Sequence, residues 1–208
     1  MEFEDLVQSE TELRELMGDP VAPPVVDKTL SILDRHCHAF IGRSPFVLIS
    51  SSDGAGRMDI SPKGDAPGFV RILDEKTLAI PDRPGNQRFD TFCNLLQSPR
   101  IGLIFLIPGK RETLRISGSA TVARDQALLE SMAERGKVPS LAIVVHVEEA
   151  FFHCSKCMIR SNLWQPDKWP SLDGLPTLAQ TMKDAASIPG PVDALETVIK
   201  EDEETRLY

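Results

Sequence analysis

Phe46-Val47-Leu48-Ile49-Ser50-Ser51-Ser52 runs into Asp53-Gly54-Ala55-Gly56, then Arg57-Met58-Asp59-Ile60, and ends in Ser61-Pro62-Lys63-Gly64. The first run is built of strand formers, the Asp-Gly-Ala-Gly cluster is a turn signal, and an extended pattern resumes beyond it. This stretch predicts a β-hairpin. The same grammar continues on its carboxyl side. Residues 69–73 and 77–80 flank Asp74-Glu75-Lys76, a second hairpin. Residues 88–96 have helical spacing through Phe89, Phe92, Leu95 and Leu96, and Pro99 stops that helix. Residues 101–107 are continuously apolar, the pattern of a strand buried on both faces. Over 113–123, Leu114, Ile116, Ala120 and Val122 share a parity, with Gly118 as a bulge or bend. A helix capped by Asp125 is predicted over 125–135, and a long strand over 141–152.

Outward from this centre the composition changes. Ser9 and Glu12 have capping-box spacing for a helix that ends at Gly18-Asp19-Pro20. Residues 27–38 read as a second helix with Leu30, Leu33 and Cys37 on one side. Beyond Trp164 come Pro166, Pro170, Pro176, Pro189 and Pro191, with short helices expected over 177–186 and 193–202. The organisation is an N-terminal helical arm (1–45), a β-rich domain (46–164) and a C-terminal helical extension (165–208) that packs on the domain or on a partner. Antiparallel strands with two inserted helices argue for a β-barrel or α+β fold over a doubly wound parallel sheet.

The 208 residues are 41% hydrophobic and 26% charged, with a net charge of −8. That composition is ordinary for a globular chain. Its acidity argues against nucleic-acid binding, which needs cations to displace the counterions of phosphates. No apolar run is long enough to cross a bilayer, so no membrane association is expected. The start, Met1-Glu2-Phe3-Glu4-Asp5, lacks the basic and apolar regions of a secretory signal, so a cytoplasmic setting is expected.

In so acidic a chain, Arg57, Lys63, Arg83 and Arg88 are candidates for one local positive site. Arg88 opens a predicted helix whose amino end offers free N–H groups and partial positive charge. A strand Lys or Arg beside such an end suits a phosphate. Asn86 could cap the helix or donate to a phosphate oxygen. The bland alternative is a set of solvated strand ends and a cap.

Four segments carry a resemblance. They are Arg57 to Asp65; Leu78-Ala79-Ile80-Pro81-Asp82-Arg83-Pro84-Gly85-Asn86-Gln87-Arg88; Ser98 to Phe105; and Leu114-Arg115-Ile116-Ser117-Gly118-Ser119-Ala120. In order and spacing this stretch resembles the pyridoxamine 5′-phosphate oxidase superfamily of FMN-binding split barrels. It is most similar to the FMN-dependent flavoproteins of the pyridoxamine phosphate oxidase class. The resemblance implies a mainly β split barrel, antiparallel, with peripheral helices at both ends. It also implies a homodimer with FMN at the subunit interface. Arg57 and Lys63 would reach the FMN phosphate and ribityl region. Asn86, Gln87 and Arg88 stand at the family's phosphate clamp. Met58, Asp59, Ile60 and Ser61 would run beside the isoalloxazine, with Ile80 and Pro81 nearby. Arg115 and Trp164 would approach from the second subunit. The clamp Asn-Gln-Arg has one cation where the family's oxidases usually have two, and counterparts of the vitamin B6-binding residues are missing.

The implied activity is FMN-dependent oxidoreduction with a small-molecule substrate or reduced nicotinamide, without a named protein acid or base. The alternatives are a deazaflavin-dependent reductase, a pyridoxamine 5′-phosphate oxidase, or a flavin- or haem-binding protein without turnover. Cys154 and Cys157 form a single CxxC beside His153, too few ligands for a structural zinc site unless Cys37, between His36 and His38, completes one. Buried or incidental thiols are the plainer reading, and no metal is expected.

Overall fold

The computed structural model describes residues 3–18 and 23–208. α1 (Glu10–Met17) starts at Ser9, whose side chain accepts from the Glu12 amide at 3.1 Å. The Glu12 carboxylate returns to the Gln8 amide, one residue short of a closed capping box. α2 (Pro23–Val26) is a single turn. The helix expected over 27–38 is displaced: Leu30 exchanges two backbone hydrogen bonds with Ala150, at 2.9 and 2.8 Å, and α3 runs Arg35–Ile41. Asp34 sets that start, because its carboxylate accepts from the His36 and Cys37 amides.

The central elements are β1 (Phe46–Ser52), β2 (Met58–Gly64), β3 (Arg71–Asp74), β4 (Thr77–Pro81), α4 (Asp90–Gln97), β5 (Arg100–Leu106), β6 (Thr113–Ala123), α5 (Gln126–Ser131) and β7 (Ala142–His153). α6 (Lys156–Arg160), α7 (Leu178–Ala186) and α8 (Val192–Thr205) follow. Among the described residues the seven strands form one antiparallel sheet in the order β2-β1-β5-β6-β7-β4-β3. β2 and β3 are its edges and do not pair with each other, so the barrel is open along one seam. This is a split barrel with helices before and after it, as the family resemblance implies.

The period of two along each strand selects the core. Val47, Ile49, Leu103, Phe105, Leu114, Ile116, Val145 and Val147 are each at most 2% exposed. Burying one such side chain contributes roughly 1.5–3 kcal/mol. Phe40 and Ile41 of α3 and Phe92 and Leu95 of α4 join the same cluster. α5 is shorter than expected, ending at Ser131, and Leu129 and Met132 pack in a smaller cluster with Ala79 and Ala142.

β5 departs from expectation. Its continuous apolar run predicts burial on both faces, yet only Ile101, Leu103 and Phe105 are buried, and Ile104 is 37% exposed. On the outward face Ile104 and Arg115 are exposed, while Leu48 and Phe151 are half-buried and Lys28 reaches over the Phe151 ring. Register lines up Pro62, Leu48, Ile104, Arg115 and Phe151 across that face, from β2 to β7.

The bulge anticipated near Gly118 exists. Ser117 pairs with Glu149 but Gly118 pairs with Val147, so Glu148 is the extra residue on β7. Glycine is needed at 118 because a Cβ there would lie 2.0 Å from the His146 carbonyl oxygen. The Glu148 side chain is held outside by Arg100, 2.8 Å away. No helix of the described residues is long and apolar enough to cross a membrane.

Candidate functional site

β2 is an edge strand with one partly buried row, Asp59, Ser61 and Lys63. Across from it runs the 82–89 connection between β4 and α4. Its amino end is held by the Asp82 amide, which donates to the Leu141 carbonyl at 2.9 Å. Gln87 and Phe89 both have left-handed backbone, φ 57° and 59°. Such conformations are sparsely populated by residues with a side chain and persist where the surroundings impose them. Phe89 is also the N-cap of α4, and no side chain caps that end. The first-turn amides of α4 therefore lack the usual side-chain acceptor.

These segments enclose a cleft of about 600 Å³, within the range of about 300–1,000 Å³ usual for small-molecule and cofactor sites. Residues 59–63, 82–92 and 137–140 line it, together with Tyr208. Of the residues singled out in the sequence, the cleft brings together Asp59, Ile60, Ser61, Lys63, Arg83, Asn86, Gln87 and Arg88. Asn86 does not cap α4. Its side-chain oxygen accepts from the Arg88 amide at 3.1 Å, tightening the loop before it.

The remaining predicted residues lie outside the cleft lining. Arg57 folds back on its own turn, with Nε 2.6 Å from Asp53 Oδ2, and Asp53 also accepts from the Ala55 and Arg57 amides. Met58 is exposed, and Ile80 packs in the barrel core. Pro81 is buried at the end of β4. Arg115 lies on the outward sheet face with its guanidinium 5.0 Å from the Phe151 ring centre. Trp164 donates from Nε1 to the Lys110 carbonyl at 2.8 Å.

The electrostatics of the cleft are mixed. Arg88 Nε meets Asp90 Oδ2 at 2.6 Å, and the Thr91 hydroxyl donates to Asp59 Oδ2 at 3.2 Å. Arg83 Nε meets Asp65 Oδ2 at 2.5 Å, a pair largely withdrawn from solvent. Lys63 and Lys137 form none of the described ion pairs. Burial pushes the Asp82 carboxyl above its ordinary value, against the opposing pull of nearby Lys63 and Arg83. An anion entering here meets two free ammonium groups and an uncapped helix end.

Sequence reasoning missed Asp82, Thr91, residues 137–140 and Tyr208. Lys137 had a legible signal, a cation directly after Gly136 in a Pro-containing loop. Tyr208 had none, because its position depends on a contact 143 residues away in the chain. The cysteines stand apart. Burial and hydrogen bonding with Asp34 push the Cys37 thiol up to about 11, while His36 and His38 on either side are exposed. Cys154 and Cys157 are exposed at the start of α6. Among the described residues no three His, Cys, Asp or Glu side chains converge as a metal site would require.

The chain was compared with known proteins. The profile of the family described as pyridoxamine 5′-phosphate oxidase matches residues 33–154. No curated protein matches the chain. Among solved structures, HupZ of Group A Streptococcus is 22% identical, with a TM-score of 0.47 over 57% of this chain and 92% of that one. An FMN-binding protein from Syntrophomonas wolfei is 11% identical, with a TM-score of 0.42 over 69% and 93%. HutZ, the heme storage protein of Vibrio cholerae, is 11% identical, with a TM-score of 0.43 over 58% and 93%.

Proposed function

Since this chain belongs to the pyridoxamine 5′-phosphate oxidase family, we propose that it is a homodimeric flavoprotein that holds FMN in the cleft beside β2 and acts as an FMN-dependent oxidoreductase. The observation that carries this reading is the uncapped amino end of α4, opening into a cleft that also holds Lys63 and Arg88. Unpaired amides and a helix dipole suit a phosphate, and charge-assisted bonds from Lys and Arg strengthen the hold.

The residues present fit the group. Arg88 and the first amides of α4 would hold the phosphate. Lys63 would reach the phosphate and ribityl chain, and residues 59–61 would border the ring. Arg57 lies outside the cleft lining whereas Lys63 and Arg88 are part of it, so the reading rests on Lys63 and Arg88 for its cations. When bound, FMN supplies hydride chemistry at its N5 atom. The protein's share is binding, orientation and exclusion of water. Asp82, Pro84 and Phe89 shape the walls, and the bent loop from Gln87 to Phe89 fixes where the α4 amides point.

The dimer is supported by the outward row Leu48, Ile104, Arg115 and Phe151, which leaves the large side chains of Ile104 and Arg115 exposed at its centre. Arg115 is thereby presented to a second protomer, as an interface role requires. The cation set favours a phosphate-bearing ligand over haem, and none of the described lining residues is a histidine.

The test is the visible spectrum of the purified protein, with acid release and mass identification of the ligand. FMN, followed by turnover of a reduced nicotinamide with an electron acceptor, supports the full reading. FMN without turnover for any donor reduces it to a binding protein. Protein that is colourless and takes up no added FMN overturns it.

A further inference from the structure

Asp65 lies one residue past β2, and its side chain is 1% exposed. A carboxylate so deeply withdrawn needs partners for both oxygens. Arg83 takes Oδ2 and also donates to the Met132 carbonyl at 3.0 Å. The second oxygen, Oδ1, accepts from the Ala66 amide at 2.7 Å and from the hydroxyl of Tyr208, also at 2.7 Å. Tyr208 lies three residues beyond the end of α8. Its ring sits near two guanidinium groups, 4.6 Å from Arg135 and 5.9 Å from Arg83, in the range of cation–π attraction.

This attachment differs from the rest of the C-terminal segment. α8 has no buried residue, and α7 buries only Ala179. The two helices are joined to each other, with the Thr177 hydroxyl donating to Glu196 at 2.8 Å. Tyr208 lines the cleft itself, together with Arg83 and Lys137. A thinly packed segment is thus tied down by one well-bonded residue that lines the candidate site.

We propose that Tyr208 is a latch that fastens the C-terminal segment against the cleft and so slows ligand exchange there. The flavin part of this inference rests on the function proposed above. The hydroxyl bond to a buried carboxylate and the ring between two cations hold the latch shut. Both are lost together when the residue swings away, so opening is all-or-none and does not disturb the barrel core.

Two measurements test it. The first uses no ligand: the rate of tryptic cutting after Arg206 in wild type and in the Tyr208→Phe variant, which keeps the ring and loses only the hydroxyl. The latch predicts cutting several-fold faster in the variant, and equal rates overturn it. The second is stopped-flow dissociation of FMN. Tyr208→Ala is expected to release FMN about tenfold faster, the effect of losing a charge-assisted bond. Unchanged release overturns the role in exchange even if the variant folds and binds normally. If wild type takes up no FMN, the flavin reading falls, and the cutting rates alone decide the latch. Asp65→Asn, which weakens the same anchor from the barrel side, is expected to reproduce the faster cutting.

Discussion

The Thr91 hydroxyl donates to Asp59 Oδ2 at 3.2 Å and thereby ties the first turn of α4 to the start of β2, two segments 32 residues apart. Thr91 is buried, so the bond is sheltered from water. It fixes the spacing between the helix amides and the strand that form opposite sides of the cleft. Thr91→Val keeps the shape and removes the donor. The expected loss is roughly 0.5–1.5 kcal/mol of stability, read as a fall of a few degrees in Tm. FMN affinity should fall with it, and an unchanged melting curve and affinity would remove this contact from the design of the site.

The cations of the cleft are separable by titration. Lys63→Ala and Arg88→Ala should each weaken FMN binding about tenfold, since a charge-assisted hydrogen bond is worth roughly 1.5–3 kcal/mol. Arg57→Ala should leave affinity within about twofold, because that side chain lies outside the cleft lining. If Arg57 proves the more important of the three, the phosphate lies elsewhere.

The outward sheet face makes a separate prediction about assembly. Ile104→Lys introduces a second cation directly across from Arg115, where burial against a second protomer would leave it unpaired. Sedimentation should then report a monomer at concentrations where wild type is a dimer. A wild-type monomer, or a variant that dimerises as before, rejects this face as the interface.

Acid should act through Asp65. Burial raises its pKa, but hydrogen bonds from Tyr208, from the Ala66 amide and from Arg83 outweigh burial and hold the carboxyl below its ordinary 3.8. A folded-state value below the unfolded one means that stability from Asp65 is present above the ordinary value. It is lost as pH falls through the depressed one. Urea midpoints of wild type and Asp65→Asn should therefore differ most near pH 6 and converge below about pH 4. A gap that stays constant with pH would show that the charge is not what matters at this position.

Much of this was legible in the chain because it is written in short-range grammar. The hairpin at 46–64, the parity of Leu114, Ile116 and Ala120, and the Asp125 cap depend on residues within a few positions of one another. That Asn86, Gln87 and Arg88 share a loop leading into a helix was legible, because such a loop is a local feature. What was not legible depends on distance. Leu30 forms a bridge to Ala150 in place of a helix because a strand 120 residues away offers its edge groups. Arg57 looked available for a ligand, but its partner Asp53 is recruited by the turn between them, a choice that periodicity does not report. The continuous run in β5 signalled burial on two faces, whereas a single chain buries one.

The bulge at Glu148 has a consequence for how the chain can change over time. Ile143, Val145 and Val147 point inward on odd numbers, while Ala150 beyond the bulge is buried on an even number, with Phe152 packed against the same core. One inserted residue has switched the reading frame of the strand's two faces. Deleting Glu148 would leave Glu149 opposite Ser117 and Ala150 opposite Ile116, so Ala150 and Phe152 would keep facing inward and the Phe40–Phe152 edge contact and the Leu30 bridge would survive. The loss of one residue is therefore absorbed at Glu148 itself, whereas the same loss elsewhere in β7 turns the residues between it and the bulge to the opposite face.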